Sequence, residues 1–194
     1  MAQKPPRPGS AVTERRLPLQ KARHQQRQEK VCREMLAFRM PRYDRLPEIE
    51  LYMDQLIGFA NQVLMPLSSA ESAEELMLTK SMVNNYVKQR VIPPPEKKRY
   101  GRAHLAMLLI LCPLKQVFSI PECVQLMHLA GKQSGQNLAQ DYDAFCTSLE
   151  NAVHQSFGGQ AAQPQADGIL PRMTQAVADK IFLQKILWCE NDGE

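Results

Sequence analysis

The chain has 194 residues, 44% of them hydrophobic and 6% aromatic, with a formal net charge of +4. That leaves room for one domain of ordinary size, or a small domain with appendages, and supplies enough apolar material for a core. The five cysteines, at 32, 112, 123, 146 and 189, include no C-x-x-C pair, which argues against a disulfide framework and fits a reducing cytosol.

Residues 1 to 18 are rich in proline and charge and read as a disordered tail. No apolar segment follows the N-terminal Met-Ala-Gln-Lys, so no secretory signal is expected there. Residues 19 to 38 have helical potential, but their first half carries almost nothing to pack. Residues 1 to 45 hold twelve Lys or Arg against four acids, a net of +8, and form a basic arm. Such an arm either adds phosphate contacts or is a solvated extension.

Residues 47 to 64 give the clearest helix: Ile49, Met53, Leu56, Ile57, Ala60, Val63 and Leu64 form one stripe. Ser72-Ala73-Glu74-Glu75 has the form of a capping box and predicts a short helical turn. Thr79 caps a helix over 79 to 89. On it Lys80, Ser81, Asn84, Asn85 and Lys88 share one arc, while Met82, Val83, Tyr86 and Val87 share the opposite one. One arc packs. The other carries the ammonium and carboxamide groups that grip phosphates and read base edges. Pro93-Pro94-Pro95 then stops the helix, and Glu96-Lys97-Lys98-Arg99-Tyr100-Gly101 forms a basic loop. From Leu78 to Arg102 there are seven Lys or Arg against one acid, a net of +6, which exceeds the charge of the whole chain.

A buried helix is expected over 102 to 114, with Pro113 kinking or ending it. Leu105 to Leu114 is the longest apolar run, ten residues, well short of the about 20 that a membrane span needs. Ser119-Ile120-Pro121-Glu122 is a second capping box, opening a helix that Gly131 closes. Residues 136 to 157 form a further helix with a brief seam of Leu138, Tyr142, Phe145, Leu149 and Ala152. Residues 158 to 171 read as a linker. The last helix, from Arg172 to Cys189, is apolar nearly all round at its end, so it must bury itself on this domain or on a second subunit.

The strings Leu78 to Lys88, Pro93 to Tyr100 and Arg102-Ala103-His104-Leu105 resemble a bacterial domain-of-unknown-function family common in Firmicutes and related to MerR-type winged helix-turn-helix regulators. Leu51 to Gln55, Leu114-Lys115-Gln116 and Ser119-Ile120 resemble it too. The resemblance implies a mainly α fold, a winged helix-turn-helix with a small β wing, plus additional C-terminal helices. The domains would be a basic arm at 1–45, the winged unit at 46–131 and a helical, dimerising region at 132–194. It further implies a cytoplasmic, sequence-specific regulator that binds double-stranded DNA, expected to be a homodimer matching palindromic half-sites. The helix over 79 to 89 would enter the major groove, and 96 to 101 would be the wing. The DNA-binding residues would be Thr79, Lys80, Ser81, Asn84, Asn85, Lys88, Lys97, Lys98, Arg99, Tyr100 and Arg102. An alternative is a protein-interaction adaptor that turns the same fold on an acidic partner; RNA binding by the basic arm is a third reading.

Little points to catalysis. G-x-x-x-x-G-K-[ST], G-x-G-x-x-G and H-E-x-x-H are all missing, and the four histidines, at 24, 104, 128 and 154, are isolated. Cys123, His128 and Cys146 do not have the spacing of a zinc site. No enzyme activity, cofactor, metal or membrane is expected.

Overall fold

A computed structural model describes residues 26–27, 29–68, 77–134, 137–158 and 166–191. The expected tail at 1–18, most of the basic arm and the capping box at 72–75 lie outside the described residues. Residues 29–36 are helical and lead into a strap, 38–46, with a single 3-10 turn at Tyr43–Arg45. Six α-helices follow: α1 (Met53–Leu64), α2 (Lys80–Lys88), α3 (Arg102–Leu114), α4 (Ile120–Ser134), α5 (Leu138–Gly158) and α6 (Ala166–Asn191).

The core is built on α3. Leu105, Ala106, Leu108, Leu109, Leu111 and Cys112 are fully buried, because α1 covers one side of the helix and α5 another. That two-sided burial explains a helix that is apolar nearly all round. Pro113 sits in its last turn, and the helix ends one residue later. From α1 the core takes Leu56, Ala60 and Leu64, which recur every four residues on one face.

The expected helix start at 47 is wrong by six residues. Leu51 is taken by another partner: its N–H donates to Tyr100 O at 2.8 Å, and its carbonyl accepts from Tyr100 N at 2.9 Å. An extended residue locked this way cannot be helical. The helix begins only after Tyr52, whose N–H donates to Gln55 Oε1 at 3.0 Å. Ile49, assigned to the buried stripe, is 71% exposed.

The winged architecture is not formed. Among the described residues there is no β-strand, only two isolated bridges, Leu51 with Tyr100 and Glu96 with Arg99. The reason lies in the flanks of the basic loop. Pro93, Pro94 and Pro95 have no N–H to give a ladder. On the other side α3 starts at Arg102, two residues past the Leu51 bridge. Neither arm has length for a second rung, so the loop closes as a two-residue turn. The fold is mainly α without a wing.

Further along the chain, α4 runs through Gly131 to Ser134, so this glycine does not close it. The buried face of α5 is Tyr142, Cys146, Glu150 and Val153, while Ala152 of the expected seam is exposed. That face packs within the chain, against α3, α4 and the strap. Residues 166–171 of the expected linker are already helical. Along α6, Leu187 is buried, but Met173, Val177, Ile181 and Phe182 are each at least half exposed.

Candidate functional site

The residues of interest sit where α1, α2 and the 93–101 loop meet. Asn61 of α1 fixes the approach to α2. Its Oδ1 accepts from Leu78 N at 2.7 Å, and its Nδ2 donates to Leu78 O at 3.0 Å. Thr79 then caps the helix, its Oγ1 accepting from Met82 N at 3.2 Å. Val83 and Tyr86 are buried, which sets the rotation of α2. Burial pushes the Tyr86 hydroxyl up to about 12, with the Cys112 and Cys123 thiols adding to the shift. Both thiols are themselves raised by burial to about 11, so they serve the core as protonated, unreactive groups.

With its back fixed, α2 turns Ser81, Asn84, Asn85 and Lys88 to solvent. These four, with half-buried Met82, line a shallow depression of about 340 Å³. Asn85 Oδ1 accepts from Gln89 Nε2 at 3.3 Å. Lys80, on the same arc, is engaged instead: its Nζ is 2.6 Å from Asp54 Oδ1 of α1. Lys88 forms no ion pair among the described residues and is the depression's available cation.

The end of α2 is a Schellman stop. Val91 N donates to Tyr86 O at 2.9 Å, Arg90 N donates to Val87 O at 3.1 Å, and Val91 is buried. The position that favours glycine holds Arg90, at φ 57°. Beyond the prolines, Glu96 N donates to Arg99 O at 3.1 Å and Arg99 N to Glu96 O at 2.8 Å. The two residues between them, Lys97 and Lys98, have φ of 46° and 65°, the pattern of a type I′ turn.

The remaining expected contacts scatter. Arg99 stacks on Tyr52, its guanidinium carbon 5.0 Å from the ring centre, and donates to Tyr52 Oη at 3.1 Å. Tyr100 is a core residue, 3% exposed, edge-on to His104 with ring centres 5.4 Å apart. Arg102 lies over the Tyr43 ring at 5.5 Å, and its Nη2 is 3.2 Å from Glu48 Oε1 without hydrogen-bond alignment. Of the eleven residues expected to bind, Ser81, Asn84, Asn85 and Lys88 therefore share one site, and Lys97 and Lys98 occupy the turn. Thr79, Tyr100 and Arg102 have structural jobs, while Lys80 and Arg99 are held by neighbours.

His104 has a structural role at the start of α3. Its Nδ1 accepts from Gly101 N at 3.1 Å, so the other nitrogen bears the hydrogen and faces Pro94 O at 3.4 Å. The ring ties both ends of the basic loop to the start of α3. The sequence reading missed the Glu150 cluster. This carboxylate, 6% exposed, accepts from Met40 N at 2.8 Å and from both Arg42 terminal nitrogens at 3.1 and 2.9 Å. Burial raises the Glu150 value, but the Met40 N–H and the Arg42 guanidinium outweigh it and hold the carboxyl below its ordinary range. Tyr142 Oη donates to Pro41 O at 2.9 Å, and Tyr43 N donates to Asp143 Oδ1 at 2.7 Å. A carboxylate at the centre of a buried helical stripe was the available sign.

No group of three or more His, Cys, Asp or Glu among the described residues is placed to hold a metal. No helix among them is long and apolar enough to cross a membrane.

Neither a curated protein nor a solved structure matches the chain. Nothing in these comparisons links it to MerR-type regulators. With that relation and the wing both gone, the duplex-DNA regulator and the winged adaptor lose their structural basis. The homodimer, expected from the apolar last helix and from operator symmetry, loses the second of those grounds. Residues 41–145, more than half of the chain, match the family described as "Domain of unknown function (DUF1836)", and the chain belongs to it.

Proposed function

We propose that the chain is a non-catalytic ligand-binding module whose site is the outward face of α2. Its ligand is a small phosphate-bearing compound of mononucleotide size. One observation carries this reading: Ser81, Asn84, Asn85 and Lys88 converge with Met82 on a single depression of about 340 Å³. The depression is open, so a ligand would lie on this face rather than be enclosed by it. Lys88 supplies the charge for a phosphate. Each carboxamide both donates and accepts, as a heterocycle edge requires. The Met82 thioether gives a soft apolar wall for a ring. The lining holds no carboxylate and no imidazole, so no general base stands beside the Ser81 hydroxyl.

The test is calorimetry with adenosine monophosphate on the full chain. The expected result is saturable binding that Lys88→Ala weakens about tenfold or more, equivalent to about 1.4 kcal/mol. Asn85→Ala weakens it comparably, with the helical content of both variants unchanged. Saturable binding that is indifferent to both substitutions, or no binding at millimolar nucleotide, overturns the proposal.

A further inference from the structure

We draw no further inference here: the strongest candidate, the exposed apolar face of α6 carrying Met173, Val177, Ile181 and Phe182, is unpartnered among the described residues, and nothing in the structure shows what covers it.

Discussion

Asn61 shows how one side chain can set a site it does not line. Both of its amide atoms are spent on Leu78, which is 2% exposed and sits just before the α2 cap. Asn61→Ala leaves that N–H and carbonyl without partners and is expected to cost about 2 kcal/mol in urea unfolding. Arg90 makes the opposite case. Arg90→Gly relieves a left-handed residue at a Schellman stop and should stabilise the fold by about 0.5–1 kcal/mol, after allowing for glycine's greater chain freedom. An unchanged or lower urea midpoint in that variant would mean that the arginine side chain supports the fold. Neither residue was identifiable beforehand. Asn61 occurs between Ala60 and the apolar pair Val63-Leu64, and only the position of Leu78 gives it meaning.

Elements whose apolar residues face one neighbour were readable. The arcs of α2 fell as expected: Val83 and Tyr86 inward, Ser81, Asn84, Asn85 and Lys88 outward. The cap at Thr79 and the buried character of α3 were readable for the same reason, that local pattern and packing agree. The sequence is misleading where a distant residue competes for backbone groups. Tyr100 takes Leu51 and delays α1, and the short flanks of the basic loop leave bridges where a wing was expected. A basic loop between two helices has the same composition whether or not strands form beside it, so that difference was not legible. The strap on α5 was also invisible, because it depends on Glu150 meeting Arg42 across 108 residues.

The stability that the strap contributes depends on pH. The folded Glu150 carboxyl lies below its ordinary value of 4.5. Its contribution is therefore fully present above that value and is lost as pH falls through the lower value of the folded state. Arg42 keeps water contact, so screening discounts the contribution. Unfolding from about pH 7 to about pH 3 should show the wild type losing its advantage over Glu150→Gln as acid is added. A constant difference between the two would mean that the carboxylate's charge contributes nothing to the strap.

For the whole molecule, the helices serve as a mount. α3 is covered by α1 and α5, and α1 carries both the Asn61 clamp and the Asp54 that engages Lys80. The outward face of α2 is thereby held at its back, its entrance and its first turn, with Lys88 exposed. Such preorganisation lowers the ordering cost of binding. The most direct measurement is a titration of the ¹⁵N-labelled chain with adenosine monophosphate, followed by backbone amide shifts. Progressive, saturable shifts confined to Ser81 through Lys88 and their immediate neighbours are expected, absent in Lys88→Ala. Saturable shifts centred elsewhere, or none over Ser81 through Lys88, would contradict the proposed site.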